Sequence, residues 1–296
     1  MLSSPKTVSF ISASGGVGKT TLSIFLAKWL LEGSEGRRVA PTRLLLVDLD
    51  PTAGLSLSLM REEEYQRHVD EGKTLVGLYQ KRSRGVQVNI EEYVVPVNHE
   101  GHLLNIIIPG EELDLMVDEL WRPGNPGQRF RKMLERSGLY TRYEYVIFDS
   151  APFFDMRYTV LSLYASGKYV VVLRPSLVDF RRTIKMLRRL IGYADDFNLS
   201  TVEFLGRFLG VFNLAHSKTK ESDALLDLGF HGTARGRSNE DEYMKAIQGY
   251  VEELKKLISV SQFIIPVKAE IARLNMKDAR KDLQGPLNDL ITHLGT

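Results

Sequence analysis

No cysteine occurs among the 296 residues, which excludes a disulfide framework and any metal site or cluster held by thiolates. No apolar run is long enough to cross a bilayer. The first apolar stretch, Thr7 to Ile11, is too short for a signal peptide, so the chain is expected in the cytoplasm. No excess of one charge is present either. Thirty-nine Lys and Arg against 37 Asp and Glu leave a net charge of +2, so affinity for nucleic acid must come from local clustering. Internal repeats and low-complexity segments are also missing, which excludes a solenoid or a disordered chain. What is left is an ordinary balance of 43% hydrophobic and 26% charged residues, sufficient to bury one large core. A single domain over residues 1–296 is expected, with two smaller ones as the alternative.

Against that background one stretch stands out. Ser12-Ala13-Ser14-Gly15-Gly16-Val17-Gly18-Lys19-Thr20-Thr21 fits the phosphate-loop pattern [AG]-x4-G-K-[ST]. An apolar run enters it and a helical pattern from Thr20 to Leu31 leaves it. Glycines let backbone N–H groups converge on an anion, and the helix N-terminus adds partial positive charge. Lys19 is expected at the β- and γ-phosphates, and the Thr20 hydroxyl on Mg²⁺. Without a ligand, the same stretch is a glycine-rich strand–helix turn.

Downstream, strand and helix alternate, which predicts a largely parallel, twisted sheet with helices on both faces. After a polar loop from Glu32 to Thr42, Arg43 to Val47 reads as a buried strand ending in Asp48-Leu49-Asp50-Pro51. Asp48 and Asp50 point the same way if that strand continues. Residues 61–100 are hard to read; Arg61 to Glu64 and Lys81 to Arg84 are charge runs of the kind that solvated faces carry. Strands follow at Leu103 to Ile108, Tyr145 to Asp149, Lys168 to Leu173, Gly206 to Phe212 and Ser261 to Ile265. Helical spacing covers Glu111 to Trp121, Gln128 to Leu139 and Phe180 to Tyr193. Tyr145-Val146-Ile147-Phe148-Asp149 is an apolar strand closing on an acid, the second half expected of a phosphate-loop site, with Asp149 near Mg²⁺.

Three motifs together, Gly15 to Thr21, Leu46-Val47-Asp48-Leu49-Asp50-Pro51 and Phe148-Asp149-Ser150-Ala151-Pro152, resemble the ParA/Soj/MinD ATPases. The resemblance runs on through Val171 to Pro175 and Gly210 to Asn213 to Phe263-Ile264-Ile265-Pro266, nearly the whole chain. It implies the ParA-like P-loop fold and a nucleotide-sandwich homodimer formed with ATP and undone by hydrolysis. By position, Asp50 matches the acid that orients the attacking water, which makes Lys19 and Asp50 the catalytic pair. Asp48 and Asp149 match the acids around Mg²⁺, together with Thr20. Asn213 matches the residue that reads adenine, and Ser14 to Thr21 and Pro266 are expected at the nucleotide.

One position departs from that pattern. Where the family carries a lysine that reaches across the dimer to the partner's nucleotide, this chain has Ser14. A hydroxyl brings no charge, so hydrolysis is expected to be weak unless another basic residue substitutes.

Two basic clusters bear on partners. Arg181, Arg182, Lys185, Arg188 and Arg189 fall on one arc of a predicted helix, with Ile184, Leu187, Leu190 and Ile191 opposite. Arg273, Lys277, Arg280 and Lys281 repeat a helical spacing near the C-terminus. Either could be a solvated face or a non-specific DNA contact, and the resemblance favours DNA. The leading expectation is therefore a DNA-partitioning ATPase on the nucleoid, working with a centromere-binding, ParB-like adaptor. The alternatives are a nucleotide switch impaired in hydrolysis and a MinD-like ATPase on a membrane. No Lys or Arg occurs from Gln284 to Thr296, so no basic membrane anchor is evident there.

Overall fold

A computed structural model describes residues 5–32, 42–122, 124–232 and 242–295. The loop expected from 32 to 42 lies almost wholly outside these residues. In chain order the elements are β1 (Lys6–Ile11), α1 (Lys19–Glu32), β2 (Leu44–Leu49), α2 (Gly54–Leu59), α3 (Glu62–Asp70), α4 (Leu75–Ser83), β3 (Val95–His99), β4 (His102–Ile107), α5 (Leu113–Leu120), α6 (Pro126–Arg136) and α7 (Leu139–Arg142). They continue with β5 (Tyr145–Ser150), α8 (Met156–Ala165), β6 (Lys168–Leu173), α9 (Leu177–Leu190), α10 (Thr201–Leu205), β7 (Phe208–Ala215), α11 (Lys220–Asp227), α12 (Glu242–Leu257), β8 (Ser259–Pro266), α13 (Ala269–Ala272) and α14 (Met276–Leu294). The architecture is α/β with mainly parallel strands. The chain divides into two compact units, one built from residues 1–10 and 22–167 and the other from 11–21 and 168–296.

In the first unit the strand order is β3-β4-β2-β5-β1. All neighbours are parallel except β3 and β4, which run antiparallel. The strand expected at 103–108 is the second half of that hairpin, and β3 is the part the sequence hid. Its turn, Glu100-Gly101, has positive φ at both residues (51° and 77°), the geometry that matches the twist of paired strands. The fully buried ammonium of Lys28 donates to Glu100 at 2.5 Å and holds the turn down. Leu45 and Val47 of β2 and Val146 and Phe148 of β5 share one face, packed with side chains of α4, α5, α6 and α8. The charge runs at 61–64 and 81–84 fall at the start of α3 and the end of α4, mostly exposed.

The second unit holds β6, β7 and β8, parallel and in that order. Side chains along a strand alternate between faces, which assigns the helices. Phe212 of β7, opposite Ile264 of β8, meets Phe180 of α9 with ring centroids 5.6 Å apart. Tyr250 of α12 stacks on Phe180 from the same side. The adjacent Phe263, on the other face of β8, lays its ring over Gly285 of α14, and Ser261 donates to Asp289 of α14 at 2.7 Å. Helices α9 and α12 therefore cover one face of this sheet and α14 the other.

The two basic clusters meet different fates. Arg181, Arg182, Lys185, Arg188 and Arg189 are all exposed on α9, while Thr183, Ile184, Met186, Leu187 and Leu190 are buried. The helix stops at Leu190, so Ile191 lies outside it. The C-terminal spacing, by contrast, is not one helix. Arg273 caps the short α13, Leu274 takes φ 59°, and Asn275 accepts from the Asp278 N–H to start α14. Only Lys277, Arg280 and Lys281 share a helix, and the expected four-residue face is corrected to three. A capping asparagine after a left-handed residue starts a new helix rather than continuing the old one.

Candidate phosphate-binding site

The loop lies in the second unit, between the last residue of β1 and the first turn of α1. Gly16 and Gly18 take φ of 65° and 88°, conformations that side chains with a Cβ resist. At Gly18 the need is also steric, because a Cβ there would come within 2.2 Å of the Asn213 amide nitrogen. Asn213, fully buried in β7, donates from Nδ2 to the Val17 carbonyl at 2.8 Å. Its Oδ1 has no hydrogen-bond partner among the described residues, and a buried acceptor left so is a place for a ligand's donor. Lys19 is 7% exposed, and its Nζ donates to Ser12 Oγ at 2.9 Å. The Ser12 hydroxyl in turn donates to the Ser14 carbonyl at 2.7 Å, which bends the start of the loop back on itself. Thr20 and Thr21 are half-buried in the first turn of α1, and Gly15 and Gly16 are exposed. Two glycines at positive φ, a helix N-terminus and one buried ammonium are the parts from which a phosphate cradle is built. Pro266 ends β8, and with Ala215, His231 and Lys268 it lines a cavity of about 430 Å³.

At the first residue of the cradle the structure supplies partners that sequence reasoning missed. The Ser14 hydroxyl donates to Asp179 Oδ1 at 2.6 Å, and the Nε of Arg174 donates to Asp179 Oδ2 at 2.7 Å. Asp179 is 1% exposed, in the first turn of α9, where an acid also suits the helix dipole. Within the sequence Asp179 reads as no more than that dipole acid. Ser14 and Asp179 are 165 residues apart, so only the fold joins them.

In the first unit Asp48 and Asp149 occupy facing positions of the parallel strands β2 and β5. Both are buried, at 0% and 1% exposure. Asp48 Oδ2 accepts from the Ser56 N–H (2.9 Å) and hydroxyl (2.8 Å), and Oδ1 accepts from the Asp50 N–H (3.1 Å). Burial, and then the neighbouring charge of Asp149, push the Asp48 carboxyl up to about 7. Two carboxylates brought together out of water call for a cation, and these residues fit Mg²⁺ in that respect. Among the described residues no group of three or more His, Asp or Glu is arranged to hold a metal alone. Asp50 does not extend the strand. β2 stops at Leu49, the Ala53 N–H returns to the Asp50 carbonyl at 2.9 Å, and the Asp50 carboxylate caps Thr52. Asp48 and Asp50 thus diverge, one buried and the other at a half-exposed turn.

A family model described as AAA domain matches residues 5–196, well over half the chain. The chain belongs to this AAA-domain family. Among curated proteins it is similar to an uncharacterized protein of Methanocaldococcus jannaschii, 24% identical over 169 residues. That match takes in 57% of this chain and 59% of the relative, so the chain spans about three-fifths of the relative's length. Among solved structures it is similar to an ATP complex of a Cyanothece McdA variant (TM-score 0.67, 16% identity, covering 99% of this chain and 98% of that one). It is also similar to pNOB8 ParA bound to nonspecific DNA (TM-score 0.63, 16% identity, covering 98% and 99%). The AAA-domain chain thus has the fold of ParA-type proteins, in keeping with the resemblance of its three motifs. No helix among its described residues is long and apolar enough to cross a membrane.

Proposed function

We propose that this chain is an ATP-dependent positioning ATPase of the ParA type. The observation that carries the reading is the glycine cradle ending in the buried Lys19, closed by Asn213. In this reading Ser14 to Thr21 hold the phosphates, and Lys19 meets the β- and γ-oxygens. Asn213, with its open Oδ1, is assigned to the base, and Pro266 to the same nucleotide. Thr20, Asp48 and Asp149 are assigned to Mg²⁺, which when bound would screen the phosphate charge. Asp50, exposed enough to meet water, is assigned to orienting the attacking water. Support for ATP comes also from the McdA relative solved with ATP, and for DNA from the ParA relative solved with nonspecific DNA.

Arg181, Arg182, Lys185, Arg188 and Arg189 form the preferred DNA-facing surface. Lys277, Arg280 and Lys281 belong to α14, on the opposite side of the same three strands, so they do not continue the α9 group as one patch; Arg273 stands apart at the end of α13. A homodimer formed with ATP, a centromere-binding adaptor and a place on the nucleoid belong to the same reading. A second reading, a nucleotide switch with little turnover, draws on Ser14, which brings no cation to the phosphates.

Gel filtration with a non-hydrolysable ATP analogue, followed by duplex binding over a salt series, tests the proposal. The expected result is an analogue-dependent dimer whose DNA affinity falls with salt at a log–log slope of about −0.9 per phosphate contact. Glutamate at Arg181, Lys185, Arg188 and Arg189 should weaken binding on every sequence alike. Monomers with the analogue, or DNA binding unaffected by the four changes, would contradict it.

A further inference from the structure

Ser14 leaves the start of the phosphate loop without a charged side chain, and a cation from another element stands beside it. Arg182, one turn along α9 from Asp179, brings its Nη1 to 3.4 Å from Ser14 Oγ. This is a long contact to a neutral group, and it is the one bond the Arg182 side chain makes among the described residues.

The local charges separate Arg182 from its neighbours. The single negative charge of Asp179 is matched by Arg174, whose Nε holds Oδ2 at 2.7 Å. The other oxygen of Asp179 takes the Ser14 proton, which leaves the Ser14 lone pairs towards Arg182. Ser14 thus anchors to Asp179 and steadies an exposed guanidinium without neutralising it. Further along α9, Arg188 is paired with Glu253 at 2.7 Å. A planar guanidinium with most of its five donors unused suits an oxyanion, and phosphate above all.

We propose that Arg182 supplies the bound nucleotide's phosphates with the cation that position 14 lacks. The assignment rests on the reading of this chain as an ATP-binding ATPase. It makes Arg182 a catalytic residue in the sense that it touches the substrate, with Ser14 and Asp179 as the positioning residues behind it. It also takes Arg182 out of the DNA-facing group, leaving Arg181, Lys185, Arg188 and Arg189 for that role. A lysine added at position 14 beside an intact Arg182 would then set two like charges together and weaken rather than strengthen the site.

ATP and ADP affinities and phosphate release, measured without DNA, test this on the full chain. Arg182→Ala should lower turnover on the order of 10²-fold, the size seen when one transition-state donor is removed. It should also erase the preference for ATP over ADP while leaving ADP affinity unchanged. Arg182→Lys should keep part of both. The double variant Ser14→Lys/Arg182→Ala should recover turnover over Arg182→Ala alone, a rescue that a merely structural arginine would not allow. An Arg182→Ala protein with wild-type turnover and a wild-type ATP-to-ADP ratio overturns the assignment alone. A wild-type chain that binds no MgATP overturns the proposed function, and the assignment with it.

Discussion

Asp48 and Asp179 are both buried aspartates that accept hydroxyl and amide or guanidinium protons, yet their surroundings treat them in opposite ways. Asp179, in the second unit, is matched by Arg174 and by the Ser14 hydroxyl. Asp48, in the first, faces a second buried acid, and burial and Asp149 raise its carboxyl to about 7. A buried acid with its own arginine is finished as structure, and removing it strands its partners. A buried acid set against another acid is unfinished, and a bound cation would complete it.

That contrast can be broken most directly at Asp179. Asp179→Ala leaves the Ser14 hydroxyl without its acceptor and Arg174 without its carboxylate. Arg174 is 45% exposed and recovers some hydration, so the expected loss is about 2 kcal/mol of folding stability, read from urea melts. A melt indistinguishable from wild type would remove the distinction between the two acids.

At Asp48 the sign reverses. A carboxyl raised from 3.8 to about 7 in the folded state gives stability that is whole below pH 3.8 and is lost as pH rises through about 7. Asp48→Asn removes the penalty and keeps one acceptor for Ser56 or Asp50. The variant should exceed the wild-type protein by about 1 kcal/mol at pH 8 and lose that advantage at pH 5. Equal pH slopes for the two proteins would count against the unfinished pair. Ser14→Ala should have the smallest effect, about 0.5 kcal/mol, because Asp179 keeps Arg174. A larger loss would mean that the hydroxyl rather than the arginine holds Asp179.

The sequence was legible where local chemistry is self-contained. Gly16, Gly18 and Lys19 announce the loop because its turn needs positive φ and its function needs an ammonium. Apolar runs at 44–49, 145–150 and 168–173 announce strands because parallel strands are buried on both faces. Illegible parts depend on contacts distant in sequence. Val95 to His99 mixes Pro, Asn and His and becomes a strand only by pairing with β4 at the sheet edge. The break between Arg273 and Lys277 depends on one left-handed leucine, which a helical-spacing count cannot see. Ser14 could be read as an absence of charge, but Asp179, Arg174 and Arg182 gather around it only in the folded chain.

Whether this loop is a nucleotide site is read from the affinity of the nucleotide-free protein for MgATP, measured by calorimetry beside Lys19→Ala. The wild-type chain should bind saturably, and the variant should lose on the order of 10²-fold in affinity, equivalent to about 2.7 kcal/mol. Equal affinities in the two proteins, or no binding by either, would contradict it.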